Sequence, residues 1–300
     1  MRSRGMRRDA ALCIAAAALA GGLLADAAEA KKKPLGRYWG GTTEQGAPFT
    51  LQLARGGRAA VGANVQVYST CADQQRFGIF GRMRFAAKPP GFLAQGDNVV
   101  APAKLRKTGR FNASGIGSVG LGGDATAVMT ERLAGRVRRD GSASGTYVAG
   151  IAVVDAGGNQ LTTCDTGPIK WQAKSRKGVV YVGATSAGPP VVLTLTTQRN
   201  AVQELDIGWA ATCTNGGAVL IPYSLTDFRI TNGSFGDVFQ QVFPVDGGGS
   251  MTFDYDLAGE VASRTRSTGN LRVKMTETDA AGAVQAVCDA GRASWTVRSG

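Results

Sequence analysis

One set of spaced residues occurs twice in this chain of 300 residues. The segment 164–171, CDTGPIKW, returns at 288–295 as CDAGRASW, and the segment 38–43, YWGGTT, returns at 181–186 as YVGATS. Matches spread over this distance are typical of a module duplicated in tandem. The repeat requires a fold that fits twice into one chain, and residues that differ between the copies become candidates for function.

The offset between the two copies changes along the chain. Residues 135–171 match residues 124 positions later, whereas residues near the start of the first copy match residues 142 or 143 positions later. The first copy therefore carries about eighteen extra residues, which we place between residues 92 and 135. The short segment 175–178, SRKG, separates the copies, so the predicted modules are 31–178 and 179–300.

Residues 1–30 have the organisation of a secretory signal peptide. Four arginines precede an apolar run over 10–24, and residues 28–30, AEA, fit a cleavage site, with cleavage after 25–27 as the alternative. No later stretch reaches the ~20 apolar residues that a membrane-spanning helix needs. We predict an exported protein, secreted to the extracellular space or associated with the cell wall, without a transmembrane anchor.

Four cysteines follow the signal peptide, two in each predicted module. Cysteines of exported proteins tend to pair, because their compartment is oxidising. We predict one bridge inside each module, which joins Cys71 to Cys164 and Cys213 to Cys288. Pairing between the modules is the alternative, and it would require two copies of one fold to pair their cysteines differently.

Alternating apolar and polar residues indicate β-strands throughout the mature chain. Examples are FTLQL at 49–53, NVQVY at 64–68 and IKWQA at 169–173. Sandwiches and barrels share this alternation, so the pattern does not separate them. We predict an all-β protein of two tandem antiparallel β-sandwich or small β-barrel modules, with about eight strands each.

A further pattern of the type Tyr-x-Gly-x-Thr-x-x-Gly-x-Pro opens each module. It comprises Tyr38, Gly40, Thr42, Gly46 and Pro48 in the first module, and Tyr181, Gly183, Thr185 and Pro190, with one residue deleted, in the second. With this opening and its paired cysteines, the chain resembles a group of uncharacterised exported, disulfide-bonded all-β repeat proteins of high-GC Gram-positive bacteria. The resemblance implies an architecture and transfers no catalytic residue.

The chain contains no histidine. This removes the usual base of serine and cysteine nucleophiles and the commonest zinc ligand. We interpret Asp165 as a turn residue beside a disulfide, and Asp254 and Asp256 as polar residues of an exposed strand face. We therefore predict no enzyme activity, no metal and no cofactor. A glycan-active enzyme that depends on the carboxylates of Asp254 and Asp256 is an alternative.

The two modules carry very different charges on one scaffold. Residues 31–178 contain 22 Lys/Arg against 8 Asp/Glu, a net of +14, and residues 179–300 contain 8 against 11, a net of −3. Strand residues that alternate with core positions such as Val137 and Trp171 should face solvent. With the extra segment, this predicts an anion-binding surface, formed by Arg82, Arg84, Lys104, Arg106, Lys107, Arg110, Arg136, Arg138, Lys170 and Lys174.

The predicted partner of this surface is an extended polyanion, either an anionic cell-envelope polymer or an acidic polysaccharide. Export and the scarcity of aromatic residues argue against nucleic acid. Two other interpretations remain open, a β-barrel that holds a small apolar ligand and recognition of a protein, including a second copy of the chain. The simplest alternative is that the basic surface serves only solubility.

Overall fold

The structure is a computed structural model that describes residues 35–74, 76–85, 98–100, 103–122, 125–245 and 247–300. The predicted signal peptide and part of the predicted insertion lie outside these residues. The described residues form nineteen β-strands and no α-helix. In chain order the strands are β1 (Tyr38–Thr43), β2 (Pro48–Leu53), β3 (Ala59–Cys71), β4 (Arg76–Phe85), β5 (Asn98–Val100), β6 (Ala103–Lys104), β7 (Arg110–Gly122), β8 (Ala125–Val137), β9 (Ser142–Val154), β10 (Gln160–Asp165), β11 (Ile169–Lys174), β12 (Val180–Thr185), β13 (Pro190–Leu195), β14 (Ala201–Thr212), β15 (Ala218–Arg229), β16 (Ser234–Pro244), β17 (Ser250–Glu260), β18 (Arg266–Thr278) and β19 (Val284–Arg298).

Each predicted module is one continuous sheet. The first sheet has eleven strands, in the order β5-β4-β3-β2-β1-β11-β9-β8-β7, with β10 paired to β3 and β9, and β6 paired to β3. The second has eight strands, in the order β15-β14-β13-β12-β19-β18-β17-β16. All named pairs are antiparallel except β4 with β5. The prediction of two tandem antiparallel all-β modules is confirmed.

The alternation of apolar residues places one face of each sheet around its own core. The first core contains Trp39, Phe49, Leu133, Tyr147 and Trp171, and the second contains Tyr181, Leu193, Tyr255, Leu271 and Trp295. The second sheet curls until its two outer strands approach each other, with the rings of Phe228 on β15 and Phe235 on β16 6.5 Å apart. One curled sheet around one core makes this module a nearly closed barrel.

Equivalent strands show where the two copies differ in length. Strand β3 precedes β14 by 142 residues, and β9 precedes β18 by 124 residues. The offset changes between β4 and β7, where the first module adds β5 and β6. The first module also divides into β10 and β11 the strand that the second module keeps as the single strand β19.

The structure corrects the match between the first strands of the two modules. Trp39, and not Tyr38, occupies the position of Tyr181, because both are buried and both donate a hydrogen bond to the carbonyl three residues earlier. The donors are Trp39 Nε1 to Gly36, at 2.8 Å, and the Tyr181 hydroxyl to Gly178, at 3.5 Å. A shift of one residue turns a strand side chain to the opposite face of the sheet. Tyr38 therefore lies outside the core.

The same correction removes the deletion that the sequence pattern required. A backbone bond from Gly46 to Thr43 closes the turn after β1, and the bond from Gly188 to Thr185 closes the turn after β12 in the same way. The offset stays at 142 through both turns. The opening segments of the two modules thus have equal length.

Two disulfides join Cys71 to Cys164 and Cys213 to Cys288, as predicted. Each lies within one module and ties the end of its third strand to a later strand of the same sheet. Such bridges are typical of proteins that function in an oxidising compartment. In the described residues no helix has the length and apolar character needed to cross a membrane.

The two modules contact each other through the outward sides of their first strands. Val179, Val180, Val182 and Val192 of the second module form an apolar cluster against Tyr38 of the first. The amide of Arg37 also donates to the carbonyl of Gly300 at 2.6 Å. These contacts align the start of β1 with the start of β12, so corresponding ends of the two modules lie side by side.

Candidate anion-binding surface

Strand β8 presents core residues on one side and cations on the other. Glu131, Leu133 and Val137 are buried, whereas Arg132 and Arg136, which alternate with them, are exposed. Arg138 follows the strand directly and is also exposed. The period of two along a strand therefore places three arginines on one outward face.

The neighbouring strands add cations to the same face. Arg110 on β7 lies directly opposite Arg136, and Ser144 on β9 lies opposite Arg136 on its other side. Strand β11 pairs with β9 and contributes Lys170 and Lys174, both exposed. We call the outward surface formed by these residues the basic face, and it comprises Arg110, Arg132, Arg136, Arg138, Lys170 and Lys174.

Strand geometry gives the size of the basic face. It extends about 20 Å along β8, at ~3.3 Å per residue, and about 14 Å from β7 to β11, at ~4.8 Å per strand. Small hydroxyl side chains fill the space between the cations, and Nη1 of Arg138 donates to Oγ of Ser144 at 3.3 Å. The surface can therefore offer charge and neutral hydrogen-bond donors together to an extended ligand.

The nearest carboxylates are held by local hydrogen bonds. Asp140 accepts from the amide and hydroxyl of Ser142, and these bonds, with a smaller contribution from Arg138, hold its pKa below the usual value. Glu44 accepts from the backbone amide of Lys170 at 2.9 Å. Among the described residues, no carboxylate forms an ion pair with a cation of the basic face.

The arrangement places like charges next to each other without compensation. Arg110 and Arg136 are direct cross-strand neighbours, and like charges in that position destabilise a sheet. A bound anion would remove the repulsion. The pair therefore leaves concentrated positive charge on this part of the sheet.

The second module has the same strands, and acidic or neutral residues replace several of the cations on their outward face. Asp256, Glu260 and Ser294 stand at the positions of Arg132, Arg136 and Lys170. Two ion pairs cover its outward face, Arg272 with Asp289 and Arg292 with Asp256, each at 2.8 Å. One scaffold thus carries two ion pairs on this face in the second module, where Arg266 and Arg298 at its end stay unpaired, and no ion pair among the described residues of the basic face in the first.

The structure brings together only part of the predicted site. Arg106 and Lys107 lie in the turn before β7, at one end of the basic face, where Nε of Arg136 donates to the carbonyl of Thr108 at 3.1 Å. Lys104 is exposed on β6, which pairs with β3 and contacts β7, the strand that carries Arg110. Arg82 and Arg84 lie on β4, and their side chains are outside the described residues.

Sequence reasoning missed Arg132. The sequence contained two indications of it. Arg132 is separated by an even number of residues from Arg136 and Arg138, so the three share one face of a strand, and its counterpart Asp256 has the opposite charge. No residue from 125 to 132 is identical to the residue 124 positions later, so residue identity alone does not extend the match back to Arg132.

A second ionisable group on β8 lies inside the module. Glu131 is 1% exposed, accepts a hydrogen bond from the hydroxyl of Tyr147, and has its pKa raised from 4.5 to about 7 by burial. A Cβ at Gly81 would collide with both of these side chains, so glycine makes room for the pair. In the second module the corresponding residues are Tyr255, Leu271 and Tyr223, and two of them belong to an aromatic cluster.

The candidate catalytic carboxylates all have local partners. Asp165 accepts from the amide of Gly167 in a turn, as Asp289 does from Gly291, and it borders an open groove of about 540 Å³ whose other lining residues are uncharged. Asp254 accepts from Gln240 at 2.7 Å. The described residues contain no group of three or more His, Cys, Asp or Glu that could hold a metal ion.

Comparison with known proteins adds two solved structures. One is a protein of unknown function from the DUF3598 family of Nostoc punctiforme, with 11% identity over 89% of this chain and 96% of that chain, at a TM-score of 0.17. The other is described as an outer membrane protein of Bacteroides fragilis, with 12% identity, the same coverage and a TM-score of 0.19. These scores are too low to support an argument. No family model and no curated protein matches the chain.

Proposed function

We propose that this chain is an exported, non-enzymatic binding protein whose first module contacts an extended polyanion, such as an anionic cell-envelope polymer or an acidic polysaccharide. The observation that carries the proposal is the contrast between the copies. Corresponding strands form ion pairs on the outward face of the second module and leave six cations uncompensated on the basic face of the first.

The chemistry of such binding is electrostatic and largely independent of sequence in the ligand. Each anionic group that meets an arginine or lysine releases condensed counterions, and this gives affinity that falls as salt increases. Arginine suits phosphate and carboxylate because its planar guanidinium can donate two parallel hydrogen bonds. The basic face, about 20 Å long, is long enough to contact several repeating units of a polymer.

The test uses the mature chain and the double variant R132Q/R136Q, measured against inorganic polyphosphate and polygalacturonate over a range of salt concentrations. The slope of log K against log salt should fall by about two, since each lost contact removes about one. The control is R272Q/K274Q, which removes two positive charges from the second module and should leave the slope unchanged. Failure of the wild-type chain to bind either polymer at low salt would refute the proposal.

A further inference from the structure

The turns at one end of the two modules lie close together around the linker at 175–179. The amide of Ser175 donates to the carbonyl of Gly141, at 2.9 Å, which places the turn between β8 and β9 against the linker. Towards the second module, the amide of Gly178 donates to Oγ of Ser299. The amide of Ser299 in turn donates to the carbonyl of Thr265, in the turn between β17 and β18. We call this the linker end, and its turns are 54–58, 105–109, 138–141, 175–179, 196–200, 230–233 and 261–265.

Charge separates between the two ends of the molecule. The turns of the linker end contain a single acid, Asp140, and the cations Arg55, Arg58, Arg106, Lys107, Arg138, Arg139, Arg176, Lys177, Arg199 and Arg264. In the described turns of the opposite end there is no Lys or Arg, and the acids are Glu44, Asp73, Asp155 and Asp279. The positive charge of the turns is therefore concentrated at the linker end in both modules, although the second module has a net negative charge.

The second module contributes its own uncompensated cations to the linker end. Arg266 on β18 and Arg298 on β19 are direct cross-strand neighbours, and both are exposed. This repeats the repulsive arrangement of Arg110 and Arg136 in the first module. Arg264 lies in the adjoining turn and is also exposed.

Hydrogen bonds connect the linker cations with those of the second module. Arg176 donates from Nη1 to the hydroxyl of Thr197 at 3.3 Å, which extends it over the turn between β13 and β14. In that turn, Arg199 donates from Nη2 to the hydroxyl of Tyr181 at 3.3 Å and to the carbonyl of Ser263 at 3.2 Å. The backbone bond from Ser175 to Gly141 joins the turn that carries Arg138 to the linker, so the cations form a series from Arg138 through the linker to the turn between β17 and β18.

We propose that one extended polyanion with repeating phosphate or carboxylate groups follows this series, so that it contacts the basic face and then crosses the linker to Arg264, Arg266 and Arg298 of the second module. This inference rests on the proposed function. It adds that the second module is part of the binding site, and that polymers long enough to cross the linker bind more tightly than shorter ones.

The experiment compares R264Q/R266Q in the mature chain with R272Q/K274Q. Both double variants remove two positive charges from the second module, and the control positions lie on β18 itself, six and eight residues beyond Arg266. The probes are inorganic polyphosphate and polygalacturonate in graded lengths, and thermal unfolding checks that each variant folds. With long polymers, R264Q/R266Q should lower the salt slope by about two, and with the shortest polymers that bind it should match the control.

Three outcomes separate the inference from the proposed function. If R264Q/R266Q behaves like its control at every length while R132Q/R136Q loses affinity, the site is confined to the first module and the inference is wrong. If the wild-type chain associates with itself at low salt and R264Q/R266Q abolishes this association, the partner of these cations is the acidic end of a second copy. The inference of a bound polymer is then wrong. If long chains of either polymer bind more tightly than short chains, and R264Q/R266Q removes this difference, the inference is supported. The polymer that shows the difference identifies the repeating group.

Discussion

Asp206 offers a sharp test of how the two modules fit together. It lies on β14 on the side that alternates with the core residues Leu205 and Ile207, yet it is only 3% exposed. Two residues further along the same side, a Cβ at Gly208 would collide with the side chain of Gln66 in the first module. Asp206 is therefore buried where the first module covers the second.

Burial raises the pKa of Asp206 from 3.8 to about 7, and the negative charge of Glu204 adds to the effect, against a hydrogen bond from Ser224. The folded chain therefore holds this proton more tightly than the unfolded chain. The resulting stabilisation is complete below about pH 4 and is lost as the pH rises to about 7. The difference in pKa corresponds to a loss of about 4 kcal/mol in the free energy of unfolding, as an upper value.

The variant D206N keeps the shape of the side chain and removes its charge. Its free energy of unfolding should equal that of the wild type near pH 4 and exceed it by up to about 4 kcal/mol at pH 8. Urea unfolding at several pH values measures this difference directly. The similar titration of Glu131 is common to both chains and cancels when they are subtracted, because the two sites are independent.

The matched control is D254N, which removes an exposed carboxylate of the same module. It should change stability by less than about 0.5 kcal/mol at every pH. If the difference between D206N and the wild type does not vary with pH, burial of a charge between the modules is not what sets the stability of this contact.

Four further variants, each measured by its denaturant midpoint, test the register, the packing and the disulfide of the first module. Trp39→Ala should lower the free energy of unfolding by about 3–5 kcal/mol because it leaves a cavity in the first core. Tyr38→Ala should lower it by about 1 kcal/mol or less. Equal losses would contradict the register described above. Gly81→Ala should cost about 1–3 kcal/mol, since its Cβ meets two buried side-chain oxygens, and no loss would mean that these side chains move aside. Replacing Cys71 and Cys164 by serine should cost about 4 kcal/mol, and a much smaller loss would show that the unfolded chain gains little freedom.

Local patterns in the sequence were enough to predict the class of fold. The period of two along segments such as 49–53 indicates strands wherever they pair, because it depends only on one face being buried. The recurrence of Cys164 and Trp171 at Cys288 and Trp295 predicted the duplication, and the duplication in turn predicted the two disulfides. These features need no knowledge of which strands become neighbours.

The first strands show where sequence comparison was wrong. Matching Tyr38 with Tyr181 preserved residue identity, but the position is defined by burial, and a tryptophan fills it in the first module. Because strand side chains alternate between faces, an error of one residue exchanges the core with the surface. Only the paired strands reveal which aromatic residue lies inside.

The candidate site depended on the order of strands in the sheet. The sequence placed Arg136 and Lys170 on outward faces, but their common surface exists because β9 lies between β8 and β11. Strand order is set by long-range pairing around the core, so local periodicity carries no information about it.

By itself, the sequence determined an all-β protein of two similar modules, their disulfides and the unequal charge of the two copies. The tertiary structure alone decided that the charge separates between the two ends of the molecule. Turns far apart in the sequence, such as 54–58, 138–141 and 261–265, meet at one end because antiparallel strands reverse direction at alternate ends of a sheet. The alignment of the two modules then joins those ends at the linker.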